Sequence, residues 1–169
     1  MQTADKPSVS RPRPIAEAAS DFLSAKRIAV TGVSRKAEGH GANVVYHRLR
    51  ERGYQVFAVN PNAETVEGDP CYHSLSSIPG GVDAVVIGTR PETADLTMRE
   101  CADLGIKRVW MHGSVGGGSV SATATAYGRS HGITVIPGGC PLMFDPVSDG
   151  GHKAMRFVLT LTGVVPRKA

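Results

Sequence analysis

A doubly wound α/β fold with five parallel strands in its sheet is predicted by three observations in this 169-residue chain. Short apolar runs recur at residues 28–30, 55–59, 83–88, 107–111 and 133–136, the pattern of strands covered on both faces. Helix-forming segments lie between most of them, so each strand is followed by a crossover rather than a hairpin. Each run ends in small or polar residues: Gly32-Val33-Ser34, Asn60-Pro61, Thr89-Arg90-Pro91, His112-Gly113-Ser114 and Gly138-Gly139-Cys140. In an open parallel sheet a ligand lies at these C-terminal strand ends, where the strand order reverses.

Along the chain, residues 1–14 carry Pro7, Pro12 and Pro14 among serines and basic residues. This composition cannot bury enough apolar surface to offset its ordering entropy, and it predicts a disordered tail before a single domain at 15–169. Ile15, Ala18, Ala19, Phe22 and Leu23 have helical spacing. Val44, Val45, Tyr46 and Leu49 mark a second helix over 42–52, stopped by Gly53. Residues 62–78 read as a long polar connection with a short helix at 75–78, closed by Pro79-Gly80-Gly81. Pro91 opens a helix that ends at Gly105, with Glu92 in its first turn. A glycine-rich turn at 112–118 precedes a helix over 119–130. The last helix, over 152–162, is amphipathic through Met155, Val158, Leu159 and Leu161.

Composition narrows the function classes. Hydrophobic residues make up 41% and charged residues 20%, values that fit a folded globular domain. No apolar run reaches membrane-spanning length and no apolar signal core precedes the domain, so a cytoplasmic protein without a membrane partner is expected. Cys71, Cys101 and Cys140 are odd in number and lack any CxxC pair, which predicts free thiols and no metal site. The net charge of +4 owes much to residues near the ends (Lys6, Arg11, Arg13, Arg167, Lys168) that are expected to fray. With no basic stripe interleaved with aromatics, a nucleic-acid partner is not expected.

The corner from Arg27 to Lys36 is the most informative. A buried strand runs into Gly32-Val33-Ser34-Arg35-Lys36 and then toward a helix, an arrangement that binds phosphate through backbone N–H groups and helix polarity. The spacing is not G-x-G-x-x-G, since Ser34 and Ala37 stand where glycines would. At the end of the second strand, Asn60-Pro61 replaces the carboxylate that an NAD site uses for ribose. Arg35 and Lys36 can neutralise an additional ribose phosphate. These residues point to an ADP-like ligand with an extra phosphate, either NADP or coenzyme A.

Taken together, Ile28-Ala29-Val30-Thr31-Gly32-Val33-Ser34, Gly53-Tyr54-Gln55-Val56, Val59-Asn60-Pro61, Gly68, Ser74-Leu75, Val82-Asp83-Ala84-Val85, Arg90-Pro91, Val109-Trp110-Met111 and Cys140-Pro141 resemble the stand-alone CoA-binding proteins. These are similar to the Rossmann-like N-terminal domain of the succinyl-CoA synthetase alpha subunit. The resemblance implies CoA across the strand ends, with phosphates near the first turn and adenine near Asn60-Pro61. The implied cofactor-binding set is Gly32, Val33, Ser34, Arg35, Lys36 and Gly41 around the first turn; Val59, Asn60 and Pro61 after the second strand; Thr89, Arg90 and Pro91 after the third; and His112 and Gly113 after the fourth. This chain departs from many members at His112, at Gly138-Gly139 and in an insertion at 144–151, all toward the acyl end.

No catalytic residue is assigned. The synthetases use a phosphorylated histidine on a further domain and a nucleotide-grasp subunit, and the chain is expected to stop short of both. Binding of CoA or an acyl-CoA as a carrier, sensor or accessory protein is therefore the leading expectation. An NADP-dependent oxidoreductase is the alternative, although Tyr127 is followed four residues on by His131 rather than lysine. A regulatory interaction protein with an idle pocket is a third. A homo-oligomer or an unidentified protein partner stays open. Trp110 is assigned to the core, and His112, His152 and Cys140 remain candidates without an orienting partner in sequence.

Overall fold

The computed structural model describes residues 12–36, 38, 40–114 and 117–169. In chain order these form α1 (Ile15–Leu23), β1 (Arg27–Thr31), α2 (Gly41–Glu51), β2 (Gln55–Val59), β3 (Thr65–Val66), β4 (Asp69–Tyr72), β5 (Ala84–Ile87), α3 (Pro91–Asp103), β6 (Arg108–Met111), β7 (Gly113–Ser114), β8 (Gly117–Gly118), α4 (Ala122–Ser130), β9 (Thr134–Pro137) and α5 (Gly150–Leu161). Two 3₁₀ turns, Leu75–Ser77 and Pro141–Met143, complete the set.

The main sheet has the order β3-β4-β2-β1-β5-β6-β9. The five expected strands are parallel, with Ile28 opposite both Val56 and Ala84 and Trp110 opposite Val86 and Ile136. The chain steps outward from β1 to β2 and then crosses back to β5 on the other side. The order therefore reverses between β1 and β5, and their C-terminal ends bound the crevice.

Strand pleating divides the core. Ile28, Val30, Ala84, Val86, Trp110 and Ile136 face one side, where α1, α2 and the Pro141–Met143 turn supply Phe22, Val45, Leu49 and Leu142. Ala29, Val85, Ile87, Val109, Met111 and Val135 face the other, against Met98 and Cys101 of α3 and Ala124 of α4. This double cover is why these runs are apolar at successive positions rather than alternating. Trp110 is completely buried, packs edge-on to Phe22 and Phe144, and donates its indole N–H to Gly138 O at 2.9 Å.

Four differences from the sequence-based expectation have physical causes. The connection at 62–78 carries β3 and β4, which widen the sheet beyond five strands. β4 pairs in parallel with β2, and β3 returns against β4 through a two-residue turn at Glu67-Gly68. Both turn residues have positive φ (53° and 83°), as a twist-compatible hairpin requires. Second, the glycine-rich turn contains the β7–β8 pair, and α4 begins only at Ala122, where the Ser121 hydroxyl accepts from Ala124 N.

Third, the predicted frayed ends pair with each other where they are described. Arg13 N donates to Ala169 O, Ala169 N donates to Arg13 O, and Ile15 N donates to Arg167 O. The rest of the predicted tail, residues 1–11, lies outside the described residues. Fourth, α5 has the expected apolar periodicity but buries only Leu159. Among the described residues no helix is long and apolar enough to cross a membrane, and no cluster of His, Cys, Asp and Glu has metal-binding geometry.

Candidate nucleotide site

At the reversal of strand order, the turns after β1 and β5 meet backbone to backbone. Gly32 has φ +76°, and a Cβ there would lie 2.5 Å from Gly88 O and 2.8 Å from Thr89 N. A Cβ on Gly88 would lie 2.6 Å from Thr31 O and 2.7 Å from Ala42 Cβ. Only two glycines allow this approach, which leaves an unobstructed crevice above the strands.

That crevice opens into a cleft of ≈ 750 Å³ lined by Gly32, His40, Val59, Asn60, Pro61, Gly88, Thr89, Arg90 and the outer face of α3 at Thr93 and Thr97. The α2 N-terminus stands at its edge. Its N-cap, His40, makes no side-chain capping bond, and no acidic residue lies in its first turn. A helix N-terminus left open in this way favours an anion. Within the cleft wall the Thr89 hydroxyl is buried without a hydrogen-bond partner. Arg35, Lys36 and Arg90 are exposed cations with no ion-pair partner among the described residues.

The loop after β1 is held by a residue that the sequence reading did not single out. Asn43 of α2, 2% exposed, accepts from Ser34 N at 2.8 Å and donates to Ser34 O at 2.9 Å. It also donates to Glu67 Oε1 at 3.1 Å, and the other Glu67 oxygen lies 2.6 Å from His47 Nε2. Glu67 occupies the left-handed backbone region, unusual for a non-glycine residue, so the β3–β4 turn is fixed to α2 and α2 to the loop.

Asn60 adds a second tie, its Nδ2 donating to Val33 O and its Oδ1 accepting from Asn62 N, both at 2.9 Å. Asn60 thus holds two turns together, and its amide is committed within the protein.

The predicted residues separate into groups. Gly32, Val59, Asn60, Pro61, Thr89 and Arg90 share the large cleft. Val33 is fully buried, so it offers the cleft only its backbone. Ser34 N and Gly32 N are already engaged, by Asn43 and by Val59 O, so the expectation that these amides hold an anion passes to the N-terminus of α2. Arg35 and Lys36 extend from the loop, and Pro91 opens α3 behind Arg90.

Gly41, His112 and Gly113 instead line a second cleft of ≈ 170 Å³, together with Val44, Cys140, His152 and Met155. His40 and Gly41 form the wall between the two. Sequence reasoning missed Gly88, His40 and Asn43. Gly88 was legible as a strand-terminal glycine, whereas nothing in the sequence marked Asn43 as buried.

Three titratable side chains, Cys140, His112 and His152, line the small cleft. Burial pushes the Cys140 thiol up to about 12, so the nucleophilic thiolate is disfavoured. His152 Nδ1 lies 2.9 Å from both Asp149 oxygens, an orienting contact that the sequence alone did not indicate. Burial lowers the pKa of His112 from its ordinary 6.5.

The unfolded chain therefore takes up a proton at His112 before the folded protein does, and His112 contributes stability that is complete above pH 6.5 and lost as pH falls below it. Thermal unfolding between pH 8 and pH 5 should accordingly show a steeper acid-side decline in Tm for the native protein than for His112→Asn. Parallel curves would contradict this role.

A crevice at the reversal of strand order, two facing glycine turns and an open helix N-terminus define a nucleotide-binding α/β domain. The chain belongs to the CoA binding domain family, which it matches over residues 26–146. Among curated proteins it is 36% identical over 89 residues to an ADP-forming acetate–CoA ligase II of Archaeoglobus fulgidus, a match covering 52% of this chain and 13% of that protein. It is 33% identical over 88 residues to the alpha subunit of the Pyrococcus furiosus enzyme, covering 52% and 19%. The match thus spans less than a fifth of either relative.

Among solved structures, a hypothetical protein from Pyrococcus horikoshii superposes with a TM-score of 0.69 at 28% identity, covering 79% of this chain and 94% of that one. A Thermus thermophilus protein gives 0.64 at 27%, covering 73% and 90%. The chain is therefore a Rossmann-like CoA-binding domain related to the CoA-binding module of the acetate–CoA ligases.

Proposed function

We propose that this chain binds coenzyme A or an acyl-CoA as a non-catalytic carrier, sensor or accessory protein. The observation that carries the reading is the open N-terminus of α2 at the Gly32–Gly88 crevice: an uncapped helix end beside unpaired cations and an orphaned Thr89 hydroxyl. These groups suit a polyphosphate with a phosphorylated ribose. The phosphates lie toward His40–Gly41 and the Arg35-Lys36 loop, and the adenine toward Asn60-Pro61. The smaller apolar cleft beyond Gly41 accepts the thiol end of the ligand or a short acyl group.

Support for a binding role rather than catalysis comes from the suppressed Cys140 thiolate and from a match to the ligases confined to a small part of their length.

Isothermal titration with CoA, NADP and NAD tests this reading. CoA should bind measurably and more tightly than either dinucleotide. Arg90→Ala should weaken CoA about tenfold or more, the scale of one hydrogen bond to a charged group. No heat with CoA and clear binding of NADP would overturn the proposal in favour of an oxidoreductase cofactor site.

A further inference from the structure

The C-terminal helix presents its apolar stripe to solvent. Ala154, Phe157, Val158 and Leu161 fall at i, i+3, i+4 and i+7 on α5, the spacing that normally faces a core. Here all four are exposed, Phe157 at 70% and Leu161 at 72%. The body is contacted instead by Leu159, which is buried, and by Arg156, whose guanidinium sits 4.1 Å from the Phe144 ring centroid. Met155 and Val44 of α2 are also half exposed and line one shared cleft, so the apolar surface continues from α5 onto α2. Five of the eight exposed large hydrophobic side chains among the described residues belong to this patch. A concentration of this kind marks an interaction surface.

We infer that α5 packs antiparallel against α5 of a second copy of this chain, forming a two-fold dimer. The patch is self-complementary: beside the projecting Phe157 and Leu161 runs a shallow groove of ≈ 530 Å³ whose other wall is Asp145, Lys153, Arg156 and Thr160. An isologous contact needs such a ridge and groove on one surface.

The charges fit as well. Lys153 is paired with Asp145 at 3.1 Å, and the Arg156 guanidinium is held over the Phe144 ring on its own protomer. With Phe157 opposite Val158 of the other copy, Ala154 meets Leu161 and Lys153 meets Thr162, while Leu159 and Arg156 stay turned toward their own protomer. No cation then faces a cation, whereas parallel packing would oppose Lys153 to itself.

The alternatives fit less well. Residues 1–11, MQTADKPSVSR, offer only Met1 and Val9 as large apolar groups, too few to cover the stripe. A membrane-surface helix sets cations along the rim of its apolar face, and the cations of α5 are instead tied back to the protein. The helix also lies beyond residues 26–146, so the family match does not account for it.

Sedimentation equilibrium of the full chain at micromolar concentrations should return twice the protomer mass. Phe157→Asp combined with Leu161→Asp should return the protomer mass with unchanged circular dichroism. Because that variant tests only disruption, oxidative cross-linking tests the geometry: Val158→Cys, next to the two-fold axis, should form a covalent dimer, and Ala154→Cys should not. The three native cysteines are buried and remain silent. A monomeric native chain, equal cross-linking of both variants, or stripe-dependent flotation with anionic vesicles would overturn the inference.

Discussion

Gly32→Ala is expected to lower Tm by on the order of 10 °C and to abolish measurable CoA binding. Two costs combine at this position. A non-glycine residue at φ +76° carries backbone strain of about 1–3 kcal/mol, and its Cβ would lie 2.5 Å from Gly88 O, a backbone atom that cannot rotate away. For a chain of this length each kcal/mol corresponds to roughly 2–4 °C.

Gly53→Ala separates the two costs. It has φ +87° with nothing within 4 Å of the added carbon, so it pays only the strain and should cost a few degrees without touching ligand binding. Gly88→Ala has the contact without a positive φ, since its Cβ would press on Thr31 O and Ala42, and it should resemble Gly32→Ala in closing the crevice. Thermal melts and CoA titrations of the three variants check this order; equal effects from Gly53 and Gly32 would show that the close approach is unimportant.

Asn43→Leu should be the other severe substitution. It keeps the branched shape of the side chain but leaves Ser34 N, Ser34 O and one Glu67 oxygen without their partner. A buried unsatisfied group costs about 1–3 kcal/mol, and more when charged. A loss of about 3 kcal/mol in urea unfolding is expected, with CoA affinity reduced at least tenfold because the Ser34–Lys36 loop loses its anchor. Asn43→Asp keeps the acceptor for Ser34 N but places a carboxylate beside Glu67, so it should not rescue. Affinity unchanged in either variant would separate the loop from the ligand.

The two core faces were legible because β1, β5, β6 and β9 are apolar at successive positions, a pattern that few other structures produce. β3 and β4 were not, since they have two and four residues, include Pro70, and gain strand character only through pairing, β4 with β2 and β3 with β4. The strand-end rule grouped Gly32, Asn60 and Arg90, which line one cleft, with His112 and Gly113, which line the other, across the α2 N-terminus.

Asn43 carries no mark in sequence; its role depends on Ser34 and Glu67 converging from either side, and no local pattern encodes that. The periodicity of α5 was equally visible in sequence. Which of its faces met the body was not, because periodicity fixes a stripe without fixing its direction.

On the proposed function, CoA phosphates rest at the α2 N-terminus, over the two facing glycine turns. A crystal structure of the protein grown with CoA measures this directly. The account predicts pyrophosphate density within hydrogen-bond reach of the His40–Ala42 backbone, with adenine beside Pro61. Density at the opposite end of the sheet, in the ≈ 660 Å³ cleft between Lys26 and Arg52, would contradict it.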